Sequence, residues 1–260
     1  VSGIFFNWPI AWVEVLLLVL FRVLGVVGAM PVLGSRAVPM RVKVALALII
    51  TFLLLPAIPF AQWPLEPRGF WNLAGLVVHE SMLGLMMGFA AQVPIWAMQA
   101  AGELIGVQMG FGIAAVLDPE SGGQENVVAS LLRTVSLLLF FMAGGHQVVL
   151  EALGESLRTL PPGAMRLSPD LMDEGIRLSG HLLDLGLRLG APAMAALLLT
   201  EVGLGLVART VPQMNIFIVG FPLKIGLGFA LLAMTLPGML ALFNQEIGAL
   251  TETLARLTAP

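Results

Sequence analysis

The stretch IAWVEVLLLVLFRVLGVVGAMPVL, Ile10–Leu33, is apolar throughout except for Glu14, Arg22 and its punctuating Gly and Pro. About 20 apolar residues in a helix, rising ~1.5 Å each, cross the roughly 30 Å of hydrocarbon in a bilayer. The stretch is long enough to do so. It shows no period-two alternation, and in lipid an isolated segment satisfies its backbone groups only as a helix. Outward from it lie five more such stretches, at about Val42–Phe60, Phe70–Met98, Val127–Leu153, Leu182–Val207 and Ile225–Phe243. Together they predict an all-α membrane protein of about six long hydrophobic helices in hairpins, forming one domain over residues 1–260.

The bulk composition agrees. Of 260 residues, 58% are hydrophobic and 11% charged, against about 25% charged in a soluble domain. Mean hydropathy is +0.95. The chain has no cysteine, which excludes disulfides, thiolate metal sites and cysteine nucleophiles. A net charge of −3 argues against nucleic acid as a partner, since phosphate binding needs clustered Lys and Arg. The first thirteen residues carry no Lys or Arg, and no A-x-A site follows the apolar run, so a cleavable signal is not expected.

Charge placement gives an orientation, and one conflict. Arg36, Arg41 and Lys43 put the first loop in the cytoplasm, and Arg209 and Lys224 do the same for the loop between the last two stretches. Trp63, Glu66, Arg68 and Trp71 suit an outer loop. Gln99 to Asn126 should then be cytoplasmic, yet it holds Glu103, Asp118, Glu120 and Glu125 and no basic residue. Gly154 to Leu182 is of mixed charge, with a turn at Pro161-Pro162-Gly163. From Ser168 it reads as a capped amphipathic helix with Pro169 at its first position and Leu171, Ile176, Leu178, Leu182 and Leu185 on its apolar side. The tail from Asn244 repeats the pattern with Ile247, Leu250, Leu254 and Leu257.

Two segments stand out chemically. In the first, Gly102, Gly106 and Gly110 recur every four residues with Glu103 beside them, a groove in which another backbone can approach closely. Asp118-Pro119 and Gly122-Gly123 then break the helix. Tight packing followed by a turn is one reading. The other is a glycine-rich, acidic, non-spanning loop inserted into a pore, because irregular backbone at membrane depth must be buried in protein or line water. The second segment is Arg209 to Lys224, where Pro212 and Pro222 bracket an apolar run with Gln213 and Asn215. It reads as a chain break, either a turn resting on the membrane or a loop facing a partner. The ionisable residues inside apolar stretches, Glu14, Arg22, Glu80 and Glu201, call for partners on neighbouring helices. His79-Glu80 fails the zinc-protease pattern because position 83 is Leu. No intact catalytic or cofactor motif is present, so neither an enzyme nor a cofactor is expected. Intramembrane acids and broken helices also fit a small-solute secondary transporter.

RTVPQMNIFIVGFPLK (Arg209–Lys224), GELIGVQMGFGIAAVLDP (Gly102–Pro119) and the length with six apolar stretches resemble the FliR family, which is related to the SctT component of virulence type III secretion. The likeness covers nearly the whole chain, and TVPQMN is closer to the flagellar branch. The resemblance implies a bacterial inner-membrane subunit of the flagellar type III export gate, in the basal body, through which unfolded substrates pass. It implies assembly with FliP and FliQ, with FlhB and FlhA associated. It further implies a FliP-like part at about residues 1–178 and a FliQ-like helical pair at about 180–260. The helices would be strongly tilted and the complex would stand largely above the lipid. A central loop would plug the pore, which by sequence match is Gly110, Phe111, Gly112, Ile113 and Ala114.

Overall fold

A computed structural model describes residues 10–57, 69–111, 126–163, 169–211 and 216–258. Those residues hold seven α-helices and no strand: α1 (Ile10–Ala29), α2 (Met40–Leu54), α3 (Phe70–Met109), α4 (Val127–Met142), α5 (Gly145–Thr159), α6 (Pro169–Thr210) and α7 (Ile216–Leu257). The all-α membrane class holds. Four helices, α1, α3, α6 and α7, are long and apolar enough to cross a bilayer, or five spans if the pair α4 and α5, bent by 58°, counts as one.

The expected six give way for definite reasons. The second apolar stretch yields a helix of only 15 residues, followed by a 3₁₀ turn at Leu55–Ala57 that contains Pro56. The third does not end at Met98 but continues for 40 residues, through Pro94, to Met109. The fourth splits at Gly144, which sits in the left-handed region at φ 73°. The amphipathic segment and the fifth stretch are one 42-residue helix through Pro192. The sixth and the tail are another, through Pro222 and Pro237. An interior proline removes one helical hydrogen bond, but in membrane helices packing and local adjustment re-satisfy the freed carbonyl. Pro222 is therefore inside α7 and does not break the chain as expected. Pro169 does open α6, and Ser168 lies outside the described residues.

The chain divides into two compact units. One comprises residues 1–92, 144–178 and 249–260, the other 93–143 and 179–248. In the first, α1 buries Val15, Leu18, Val19, Arg22, Val23, Val26 and Val27 along one stripe, the spacing of a helix face turned to a core. On α5, Val149, Leu153, Ser156, Leu157 and Leu160 do the same. In the second unit, Gly186 and Gly190 of α6 lie against Ala97, Ala100 and Ala101 of α3, small residues on both sides. The tail positions Ile247, Leu250, Leu254 and Leu257 are all buried, as their spacing predicts. Ile176 is 70% exposed, so it leaves the apolar side assigned to it.

Candidate functional site

Arg22 and Glu80 form a buried charge pair at the heart of the first unit, with side chains 0% and 1% exposed. Arg22 Nε donates to Glu80 Oε2 at 2.6 Å. Its Nη1 donates to the Ser156 and Leu160 carbonyls, at 3.0 and 3.1 Å, and lies 3.2 Å from Ser156 Oγ. The other Glu80 oxygen accepts the Gly163 N–H at 2.7 Å. The last carbonyls of a helix have no intrahelical donor. Here a guanidinium adds a second donor to the Ser156 carbonyl, which already accepts the Leu160 N–H at 2.9 Å, and supplies one to the Leu160 carbonyl just past α5, while its carboxylate partner holds the turn Pro161-Pro162-Gly163, where Gly163 has φ 78°. The pair thus fastens three helices, α1, α3 and α5, at the chain reversal after α5.

Glycines make this approach possible. A Cβ on Gly84 would run into the Arg22 carbonyl oxygen. One on Gly88 would lie 2.6 Å from the Ala29 Cβ, and one on Gly25 2.6 Å from the Ser81 carbonyl oxygen. Gly84 and Gly88 form a GxxxG seam on α3, across which α1 packs backbone to backbone.

The glycine-rich central segment belongs to the second unit. Gly102 and Gly106 are buried on the last turns of α3. A Cβ on Gly102 would sit 2.6 Å from the Ala129 Cα, and one on Gly106 would collide with the Asn126 side chain. The groove is therefore filled by the start of α4. Glu103 is exposed beside it and accepts from Gln99 Nε2 at 3.2 Å. Gly110 meets a different neighbour, since a Cβ there would lie 2.8 Å from the Phe221 ring. It ends α3 at φ 100°, with its own N–H on the Val107 carbonyl (3.1 Å) and the Phe111 N–H on the Gly106 carbonyl (3.0 Å). These two bonds are the Schellman arrangement, in which a left-handed glycine satisfies the final carbonyls.

Gly106 consequently serves both ends of the segment that follows. Its carbonyl holds Phe111 where the chain leaves α3, and its missing side chain admits Asn126 where the chain returns. Asn126 caps α4 by accepting the Val128 N–H at 3.0 Å, and its Nδ2 donates to the Glu103 carbonyl at 3.4 Å. Phe111 meets Phe229 of α7 edge to face, with ring centroids 6.4 Å apart. Gly112, Ile113 and Ala114 lie outside the described residues.

The Arg209–Lys224 segment is placed in part. Arg209 is in the last turn of α6, while Pro212, Gln213 and Asn215 fall outside the described residues. Lys224 Nζ lies 2.9 Å from Glu201 Oε1, which ties α7 to α6. The same two helices are joined again at His181 and Glu246, 2.7 Å apart.

Residues 13–250 match the model of the family described as bacterial export proteins, family 1. The chain belongs to this family. It is similar to the flagellar biosynthetic protein FliR of Escherichia coli strain K12, at 34% identity over 92% of this chain and 90% of that protein. It is also similar to the flagellar biosynthetic protein FliR of Bacillus subtilis strain 168, at 30% identity over 94% of each. The Yop proteins translocation protein T of Yersinia pestis is 30% identical over 60% of this chain and 61% of that protein.

In this bacterial export protein the charges inside the apolar stretches and the glycine groove find partners on neighbouring helices of the same chain. Glu80 has Arg22, Glu201 has Lys224, and Gly102 and Gly106 have α4. Sequence reasoning missed the Gly84–Gly88 seam, although GLMMG is legible there. It flagged Arg22 and Glu80 separately, but no spacing rule joins residues 58 positions apart.

Proposed function

We propose that the chain is a non-enzymatic subunit of the flagellar type III protein export gate, in the bacterial inner membrane, and that residues 110–114 plug the pore. As a bacterial export protein of membrane-spanning helices it belongs to an export apparatus, and its FliR relatives carry the flagellar role. The observation that carries the plug reading is the paired anchorage at Gly106. The described residues that flank 112–125, Phe111 and Asn126, both meet α3 at Gly106. The closing action is steric, with the Phe111 ring and its neighbours filling the channel.

The partners proposed are FliP-like and FliQ-like subunits, with FlhB and FlhA. The flagellar branch is preferred to a virulence secretion system because the flagellar relatives named above align over 92–94% of the chain and the Yop relative over 60%. A small-solute transporter is disfavoured because the carboxylates it would use, Glu80 and Glu201, are engaged by Arg22 and Lys224. Deleting residues 110–114 in the assembled gate should raise its ion conductance, and an unchanged conductance would remove the plug role. Capture of the tagged chain from native membranes should bring FliP-like and FliQ-like chains with it. Recovery of the chain alone would refute the gate assignment.

A further inference from the structure

The turn after α1 and the start of α2 carry the densest positive charge in the chain. Arg36, Arg41 and Lys43 are three of its 13 Lys and Arg, and no Asp or Glu lies between Glu14 and Glu66. Lys43 donates from Nζ to the Gly34 carbonyl at 3.0 Å, which ties α2 to the turn. The turn is fixed further by the Gly34 N–H on the Met30 carbonyl and the Leu33 N–H on the Pro31 carbonyl, each at 2.8 Å. Arg36 and Arg41 are both exposed, and among the described residues neither has an ion-pair partner.

α2 packs back against α1, burying Ala47 and Thr51. On its opposite face Val42, Ala45, Ile49, Phe52 and Leu53 are all exposed, at the repeat that lines one side of a helix. No polar residue interrupts this stripe, and Arg41 borders it at the N-terminal end. A continuous exposed apolar surface marks a membrane or partner contact. With 15 residues α2 reaches about 22 Å, too short to cross the roughly 30 Å of hydrocarbon. Val42 to Leu53 covers about 16 Å, close to the ~15 Å that one leaflet contributes. α1, with 20 residues, is long enough to cross, so the turn after it emerges at a membrane surface. Arg36 and Arg41 therefore stand at headgroup level, and the stripe runs from them toward the bilayer interior.

We propose that this surface binds an anionic phospholipid, its phosphate on Arg36 and Arg41 and its acyl chains along Val42 to Leu53. A guanidinium meets a phosphate through two parallel N–H···O bonds and stays charged at all working pH. Both halves of the surface select the same ligand. An acidic protein segment would answer the arginines and leave the stripe uncovered, while a neutral lipid would cover the stripe and leave the arginines unmatched. The bound lipid fixes the depth of the turn in the leaflet. The site belongs to the first unit and stands whether or not residues 110–114 plug a pore.

The test is native mass spectrometry of the full chain in detergent micelles, with added phosphatidylglycerol or phosphatidylcholine of identical acyl chains. The parent should retain phosphatidylglycerol in preference. Each cation near an anionic headgroup contributes about 5-fold in affinity. Arg36→Gln/Arg41→Gln should thus weaken phosphatidylglycerol binding about 25-fold and leave phosphatidylcholine unchanged, while Arg36→Lys/Arg41→Lys should keep most of the preference. Ile49→Ser/Phe52→Ser should weaken both lipids. Equal retention of the two lipids by the parent, or an undiminished preference in the glutamine variant, overturns the proposal. Displacement of phosphatidylglycerol by inorganic phosphate would reveal a site for any anion and overturn it too. The absence of native cysteine gives a second route, in native membranes and with both arginines intact. Ile49→Cys, labelled with a benzophenone maleimide and irradiated, should join to lipid. A crosslink to another protein chain instead would show that a partner covers the stripe, and the lipid assignment would fall.

Discussion

Replacing Glu80 by leucine should be among the most damaging single changes in this chain. The carboxylate is 1% exposed and accepts from both Arg22 and the Gly163 N–H. Its removal leaves a guanidinium buried without a counter-charge, which costs about 3–5 kcal/mol. For chains of this size class, 1 kcal/mol corresponds to about 2–4 °C in Tm, so the loss should be about 6–20 °C. Arg22→Met should cost a similar amount, because it strands the carboxylate instead. The double variant Arg22→Met/Glu80→Leu buries no charge. It leaves the Ser156 and Leu160 carbonyls and the Gly163 N–H without these partners, at about 1 kcal/mol each. It should therefore cost about 3 kcal/mol, well short of the roughly 6–10 kcal/mol sum of the singles. The assay is thermal loss of helical circular dichroism in detergent, at one scan rate for all four chains. Additive single effects, or a Glu80→Leu chain melting within about 2 °C of the parent, would refute the reasoning that the pair is dry and mutually dependent.

Gly84→Ala should destabilise the purified chain strongly, because its Cβ would strike the Arg22 carbonyl, whereas Gly28→Ala meets nothing within 4 Å and should be neutral or slightly stabilising in the same melt. Asn126→Ala should cost about 1 kcal/mol as a lost N-cap, visible as faster amide exchange in the first turn of α4. Gly203→Ala and Gly226→Ala likewise meet nothing within 4 Å among the described residues. They should leave the isolated protein's melt unchanged, and loss of co-purifying subunits in either variant would mark that glycine as lying in a subunit contact.

The class of this fold was legible because hydrophobic length and lipid burial leave few alternatives. The lengths of the helices were not. Pro94 and Pro192 lie inside stretches read as single helices, and the helices around them run beyond those stretches, to Met109 and from Pro169. The mixed charge of Gly154 to Leu182 separated it from the next apolar stretch, although the buried positions Leu178, Leu185, Leu189, Ala193 and Leu197 continue one face across the join. Gly102 and Gly106 were recognised as a groove, but its occupant, the first turn of α4, is a tertiary fact. The partnership of Arg22 with Glu80 depends on Gly25 and Gly84 letting two backbones nearly touch, and no periodicity in either helix encodes that.

The same lengths explain why counting spans failed. At ~1.5 Å per residue, the 42 residues of α6 reach about 63 Å. Even at a tilt of about 40° a helix crosses roughly 30 Å of hydrocarbon in only about 39 Å of its length. Yet exposed apolar residues run from Met172 through Ile176, Leu183, Leu187, Leu199 and Val202 to Leu206, farther than lipid of that thickness can cover. Within the same run Asp184 and Arg188 form an exposed ion pair at 2.8 Å, which a hydrocarbon environment strongly disfavours. A surface that is both too long and locally too polar for lipid does not lie wholly in lipid. The acidic segment from Gln99 to Asn126 obeys the same logic. The charge rule orients ordinary loops between spans, and Gln99 to Met109 is no loop at all but the end of a 40-residue helix whose Gly102 and Gly106 are already packed.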